Sequence, residues 1–367
     1  MKILLLGPYP PPHGGVSVHV AELRRRLEGL GIRCRVANID TRAPESGRYI
    51  SVRGAWDLVS VLRRYAGQGW MVHLHTNGHS LKSWTIALVC GLAGRLGPGC
   101  ALTLHSGMTP AYLKRAAPWS RLLSRMAGRL YDVVIAVNEE ISDAMFALGI
   151  PAHRLEVLPA FLAAGSVPLS IPASLEERLV RHKPLLAATL FFRPEYGFEL
   201  LVAALLRLRR RYPALGCVVM GSGERQAEAR ALIEREQLQD CVVMPGDVAH
   251  ETCLALMSRA DVFVRPSLVD GDAISVREAL SLGTAVAASN VGTRPAGTLL
   301  FEAGNVEQMV AAIEKGLAKR RGCVGTGIPA RPDGHLLELL EIYRRIAHPG
   351  AATVRKESWK SSNDYAA

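Results

Sequence analysis

Short apolar runs alternate along the chain with stretches whose apolar positions recur at helical spacing. Lys2–Leu6 reads as a strand, and Val16–Leu30 as a helix with Val16, Val20, Leu23 and Leu27 on one face. Arg33–Ile39, Met71–His75, Ala101–His105 and Val133–Val137 read as further strands, with helices between them. Alternation of this kind predicts a parallel sheet covered by helices on both faces. Around residues 159–185 the pattern lapses into Pro, Ala and Ser, which marks a hinge.

Beyond the hinge the pattern restarts. Leu185–Leu190, Cys217–Met220, Val242–Met244, Val262–Val264 and Ala285–Ala288 read as strands. Leu200–Arg211, Ala227–Glu236, His250–Ser258 and Ser275–Leu282 read as the helices between them. The expected fold class is therefore α/β, two successive doubly wound Rossmann-like units. Residues 1–165 form the first domain and 166–334 the second. A last helix at 335–348 is expected to pack back on the first domain. The tail at 349–367 is polar and aperiodic, and is expected to be disordered. Ligands in such sheets sit outside the carboxyl ends of the strands, here where the two domains face each other across a cleft.

With 367 residues, half of them apolar, the chain can bury two well-developed cores. The longest apolar run, Trp84–Gly94, is too short to span a bilayer and reads as a buried helix. Met1–Gly7 turns at once into Pro8-Tyr9-Pro10-Pro11-Pro12 with no cleavage-like site, so it reads as a first strand rather than a signal segment. Seven cysteines, odd in number and without Cys-x-x-Cys spacing, point to a reduced, cytoplasmic chain with no metal cage.

Charge changes the picture. The formal net charge is +11, and residues 1–165 hold 19 Lys/Arg against 10 Asp/Glu. A basic first half suits an anionic partner: a phosphorylated substrate or a membrane surface. Nucleic acid is not expected, because aromatic residues are few and no recognition motif is visible. Lys114, Arg115, Arg121, Arg125 and Arg129 fall within an acid-free stretch whose Leu122, Met126 and Leu130 form an apolar stripe. That pattern fits a helix lying on an anionic membrane, and equally a solvated helix with its stripe on the sheet.

The candidate chemistry centres on Pro266–Leu280, where Asp270 and Glu278 stand eight positions apart across a loop and the start of a helix. Helix-start amides can bind anionic oxygens, and ionised carboxylates accept hydrogen bonds from sugar hydroxyls. A helix capped by Asp272 and followed by a solvated Arg-Glu pair is the competing reading. Gly14-Gly15, after the first strand, can bring backbone amides against a phosphate or can serve a turn needing positive φ. It lacks the spacing of a dinucleotide fingerprint. His105-Ser106-Gly107 and His75-Thr76-Asn77-Gly78 each end a strand and face the cleft. Arg193, just past another strand, suits a diphosphate or can snorkel beside Phe191 and Phe192.

In this order these pieces resemble the retaining glycosyltransferases of family 4, which have the GT-B fold. The likeness rests on Gly14-Gly15, His105-Ser106-Gly107, Val157-Leu158-Pro159 and Ala260–Ser267. Above all it rests on the spaced carboxylates and Ala279–Ser289. It implies that Asp270 and the amides of Gly271, Asp272, Ala273, Ile274 and Ser275 hold the donor sugar and diphosphate. Glu278 would bind the ribose, Val248 would meet the nucleobase through its backbone, and His105, looking toward the reacting sugar, would share the catalytic role with Asp270. Gly14, Gly15 and Arg193 would approach the diphosphate. No metal or other cofactor is expected.

Departures from the family pattern concentrate at the diphosphate. Asp270 replaces the first Glu, Asp272-Ala273 replaces Phe-Gly, and Tyr196 and Phe191 stand where a Lys and an Arg are usual. The segment after Ser289 is shortened to Asn290–Pro295. The implied activity is transfer of a sugar from a nucleotide-diphosphate donor to a saccharide acceptor, expected to be lipid-linked, in surface polysaccharide synthesis. It would take place in the cytoplasm or on the inner face of the membrane. A catalytically weak carbohydrate-binding or assembly protein, and a GT-B nucleotide-sugar epimerase, are the alternatives.

Overall fold

The computed structural model describes residues 1–41, 43–160, 170–320 and 334–348. The first sheet contains β1 (Lys2–Gly7), β2 (Arg33–Asn38), β3 (Ile50–Ser51), β4 (Met71–Thr76), β5 (Cys100–Leu104), β6 (Val133–Ala136) and β7 (Leu155–Val157). Their order is β3-β2-β1-β4-β5-β6-β7, and every pairing is parallel. The second sheet contains β8 (Leu185–Thr189), β9 (Gly216–Met220), β10 (Val242–Gly246), β11 (Val262–Arg265), β12 (Ala285–Ser289) and β13 (Leu299–Phe301), ordered β10-β9-β8-β11-β12-β13. It too is wholly parallel.

Parallel strands are buried on both faces, which is why Ile3–Leu6 and Leu186–Ala188 are continuously apolar and fully buried. Val20, Leu23 and Leu27 of the Gly15–Gly29 helix share a core with Ile3 and Leu5. Leu201, Leu205, Met309 and Ile313 cover one face of the second sheet with Leu186, Val219 and Val264.

Each sheet reverses its winding once, between β1 and β4 in the first and between β8 and β11 in the second. At such a switch point the connecting helices leave on opposite faces and open a crevice beyond the strand ends. The glycine loop leaves β1 and His105 leaves β5. Arg193 follows β8, and the carboxylate loop follows β11. Both crevices therefore open onto the same cleft.

Two local expectations, the hinge and the fully buried Trp84–Gly94 helix, are corrected. The segment read as a hinge contains a helix, Ala173–Leu179, whose Leu175 and Leu179 are buried; residues 161–169 lie outside the described residues. The Leu81–Gly94 helix buries Trp84, Ala87 and Cys90, but Leu92 is exposed. The last helix, Gly334–Ala347, lies on the first sheet. Tyr343 and Ile346 join its core, the Tyr343 hydroxyl sits 2.6 Å from His73 Nδ1, and Arg345 pairs with Glu156 at 2.5 Å. The tail at 349–367 lies outside the described residues.

Candidate active site

The cleft between the domains encloses about 480 Å³. Its walls include Gly14, Gly15 and His105 from the first domain, and Arg193, Val248, Asp270–Ser275 and Glu278 from the second. The structure thus brings every expected donor-site residue onto one surface.

Loop packing explains the glycines. Neither Gly14 nor Gly15 has positive φ, so a left-handed turn is not the reason for the pair. A Cβ on Gly14 would lie 2.6 Å from the ring of Phe191 in the opposite domain. Gly14 N–H instead donates to Ser17 Oγ (2.9 Å) as the Gly15–Gly29 helix begins. A Cβ on Gly107 would fall 2.0 Å from the Asp270 carbonyl, and one on Gly271 2.7 Å from that of His105. The two loops meet backbone to backbone. Asn138 Nδ2 joins them by donating to Gly271 O (3.2 Å), while its Oδ1 caps the Glu139–Ala147 helix. At the cleft rim, His13 N–H donates to Asp247 Oδ1 at 3.0 Å, beside Val248.

Asp270 does not stand free. Arg265, the last residue of β11, donates from Nε to Oδ2 (2.9 Å) and from Nη2 to Oδ1 (3.2 Å). Arg294 Nη2 adds a bond to Oδ2 at 3.1 Å. Burial pushes the Asp270 carboxyl up, but Arg265 and then Arg294 outweigh it and hold it below the usual carboxylate value. Arg265 also donates to Thr189 O (2.7 Å) and lies 5.0 Å from the centre of the Tyr196 ring. Three of its five N–H groups are spent on Asp270 and Thr189, and the residue lines the cleft. Arg193 is half-exposed, lines the cleft and pairs with Glu224 at 3.2 Å.

The capping reading of Asp272 is corrected. Ala273 is the N-cap of the Ile274–Ser281 helix, with no side-chain cap bond. Asp272 receives Arg277 Nε on both oxygens, at 2.8 and 2.9 Å. Burial raises its carboxyl above the usual value, and Arg277 only partly offsets this. The helix start thus keeps its amides open toward the cleft. Nor is there a solvated Arg-Glu pair: Glu278 is buried and bonds His250 at 2.6 Å. Burial alone would lower the His250 pKa, but Glu278 outweighs it and raises it.

The family match follows this division of labour. The family described as Glycosyltransferase Family 4 matches residues 13–162, and that described as Glycosyl transferases group 1 matches residues 180–323. The chain carries both domains of a glycosyltransferase. The 2-deoxystreptamine N-acetyl-D-glucosaminyltransferase of Streptomyces fradiae is 29% identical over 298 residues, 73% of this chain and 68% of that protein. The gpi3 subunit of phosphatidylinositol N-acetylglucosaminyltransferase from Schizosaccharomyces pombe is 31% identical over 99 residues. That match covers 27% of this chain and only 22% of the relative's length. Among solved structures, Anabaena HepE in complex with UDP-glucose superposes with a TM-score of 0.71 at 15% identity, covering 95% of this chain and 99% of that one. At that identity the likeness is one of fold, and it shows the GT-B architecture.

Other features of this glycosyltransferase chain escaped the linear reading. Arg265 ends an otherwise apolar strand, an anomaly that could have flagged it. Arg294 and His250 carry no such signal, because their partners are 24 and 28 positions away. His105 is half-buried beside the fully buried His75, whose Nδ1 lies 3.1 Å from His105 Nε2. Burial drives both rings well below the ordinary histidine value. No metal was expected, yet His19, His75 and His105 place donor atoms within 4.8 Å of one another.

The basic Pro118–Arg129 helix faces opposite to one of its two readings. Ser120, Ser124, Ala127 and Gly128 are buried and Leu130 of the expected stripe is half-buried, whereas Trp119, Leu122 and Met126 are 61%, 57% and 53% exposed. Lys114, Arg115, Arg121, Arg125 and Arg129 are exposed as well. Among the described residues no helix is long and apolar enough to cross a membrane.

Proposed function

We propose that this protein transfers a sugar from a nucleotide-diphosphate donor to a saccharide acceptor with retention of anomeric configuration. The observation that carries this reading is the second switch point. There the buried Arg265 guanidinium and the open amides of the Ile274–Ser281 helix face the glycine loop across one cleft. When the bond from the anomeric carbon to the diphosphate breaks, negative charge collects on the leaving oxygens and positive charge on the sugar ring. A desolvated guanidinium and a helix N-terminus stabilise that leaving group without reorganising. Arg265 takes the place of the usual Lys and Arg, which here are Tyr196 and Phe191. Transfer then needs no catalytic metal.

Asp270, with both oxygens held by arginines, suits orientation of sugar hydroxyls better than nucleophilic attack. The acceptor hydroxyl bonds to the anomeric carbon on the face the diphosphate leaves, and its proton passes to the departing phosphate oxygen. His105, kept neutral by burial, borders the sugar as a hydrogen-bonding group. Glu278 holds the ribose, and the Val248 backbone the base. The nucleotide-sugar donor is supported by the site chemistry and by the UDP-glucose bound to Anabaena HepE.

The acceptor is lipid-linked in this reading, as part of surface polysaccharide assembly. The outward apolar face of Pro118–Arg129 with its arginines suits a peripheral site on the inner, anionic face of the membrane. The Schizosaccharomyces pombe relative, named for phosphatidylinositol, supports a lipid acceptor.

The decisive experiment incubates the full chain with a panel of nucleotide sugars and lipid-linked or soluble acceptors in the presence of a chelator. Nucleoside diphosphate release and the anomeric configuration of the product are followed. An axial donor should give an axial product. An equatorial product would refute retention. A donor sugar epimerised without acceptor would establish the epimerase, and donor binding without release would establish the assembly protein.

A further inference from the structure

Beneath the cleft floor, three imidazoles from three separate elements converge. His19 comes from the Gly15–Gly29 helix, His75 from β4, and His105 from the loop after β5. Their ring centroids form a nearly equilateral triangle with sides of 5.2, 5.4 and 5.4 Å. For comparison, a Zn–N bond of about 2.0–2.1 Å plus a ring radius of about 1.1 Å puts each centroid about 3.2 Å from the ion. Tetrahedral angles then separate the centroids by about 5.2 Å. The observed triangle has the size that a three-histidine site requires.

The chemistry of the donors agrees. Burial holds all three rings neutral, with His19 lowered to about 4 and the other two well below the usual value. Neutral imidazole is the form that binds metal. His19 Nδ1 and His75 Nε2 are buried and find no hydrogen-bond partner among the described residues. An orphaned buried nitrogen is costly unless something fills its lone pair. Outer contacts hold the rings in place: His19 meets the Ala160 backbone, and His73 stacks on His75 at 4.1 Å between Tyr343 and Thr103. His105 lines the cleft, which supplies an entry path and an open fourth position.

We propose that His19, His75 and His105 form a binding site for a divalent d-block cation of the zinc class, distinct from any catalytic requirement. Binding the ion replaces the 3.1 Å contact between His75 Nδ1 and His105 Nε2, turns the rings so that one nitrogen of each meets the cation, and fixes the His105 ring. If the cleft is the sugar-transfer site proposed above, the bound ion also takes His105 away from the donor. The ion is therefore an inhibitor of transfer.

The test uses tag-free full-length protein stripped with a chelator and titrated with Co²⁺ alone, then displaced with Zn²⁺. Intense visible d–d absorption should grow to one equivalent and disappear on Zn²⁺ addition. His19→Ala and His75→Gln should each weaken Co²⁺ binding by about tenfold or more. His153→Ala, a surface histidine remote from the triad, should not. Thermal midpoints establish that each variant is folded, and two variants on different elements guard against the loss of one. The proposal is overturned if folded wild-type protein shows no tetrahedral Co²⁺ spectrum. It is overturned equally if both triad variants bind as the wild type does. Because the readout is spectroscopic, a failed transferase assay would leave it intact, and a failed Co²⁺ titration would leave the transferase reading intact.

Discussion

Replacing Arg265 with Met tests whether this buried guanidinium, and not the exposed Arg193, carries the leaving-group charge. The substitution removes two bonds to Asp270, one to Thr189 O and the contact with the Tyr196 ring. Breaking a buried ion pair from one side costs about 3–5 kcal/mol when the remaining charge is left bare. Here Arg294 stays on Asp270 at 3.1 Å, so about 2–3 kcal/mol of stability should be lost. Methionine roughly keeps the aliphatic volume, which limits any added cavity cost.

Activity should suffer more than stability alone explains. Removing one preorganised donor to a developing anion costs about 10²–10³ in kcat, or about 2.7–4 kcal/mol of barrier. Arg193→Ala breaks a half-exposed pair with Glu224 and should cost less than tenfold in kcat/KM, about 1.4 kcal/mol or less. The assay is the initial rate of nucleoside diphosphate release, with kcat and KM separated. Urea unfolding of each variant run alongside confirms that the protein measured is folded. Folded Arg265→Met with kcat/KM within about threefold of wild type would refute the reasoning, above all if Arg193→Ala lost more.

Two further outcomes follow from side-chain pairing and exposure. His250 is raised above its ordinary value by Glu278, so the stability it contributes is complete below pH about 6.5 and is lost as pH rises through the higher folded value. The urea stability difference between wild type and His250→Gln should therefore be larger at pH 6 than at pH 9, and equal differences would exclude the pairing. For the outward helix, wild-type protein should sediment with phosphatidylglycerol vesicles at low salt and be released at high salt. Lys114, Arg115 and Arg121 changed together to Glu should abolish sedimentation, since each basic residue adds about 1 kcal/mol near an anionic surface. Failure of the wild type to sediment at low salt would sink the membrane reading.

Much of the architecture was legible in one dimension because parallel strands buried on both faces are written as continuous apolar runs. Val262–Val264 and Ala285–Ala288 announce themselves in this way, as does the helical spacing of Val20, Leu23 and Leu27. Short edge strands such as Ile50–Ser51 and Leu299–Phe301 do not. At two and three residues they have too little pattern to register, and only pairing with β2 and β12 makes them strands. The carboxylate loop was readable because Asp270 and Glu278 lie close in sequence and their spacing survives folding.

Partnerships were not readable, because hydrogen bonds and desolvation depend on distances that sequence separation does not encode. Asp272 could cap the helix by its position, yet the fold turns it to Arg277. Arg193 looked like the diphosphate cation by its place after β8, yet it points to Glu224 while Arg265 occupies the buried end of β11. The stripe of Leu122, Met126 and Leu130 could face the sheet or the solvent. Only the packing of Ser120, Ser124 and Ala127 against the domain decided that Leu122 and Met126 face outward while Leu130 packs beside Gly91.

The sequence by itself determined two doubly wound parallel sheets, the glycine loop and the spaced carboxylates, since these are local patterns of burial and backbone chemistry. Tertiary structure alone decided which charges are paired, which imidazoles meet, and which face of the basic helix is free. Those outcomes depend on how elements tens of residues apart exclude water from one another.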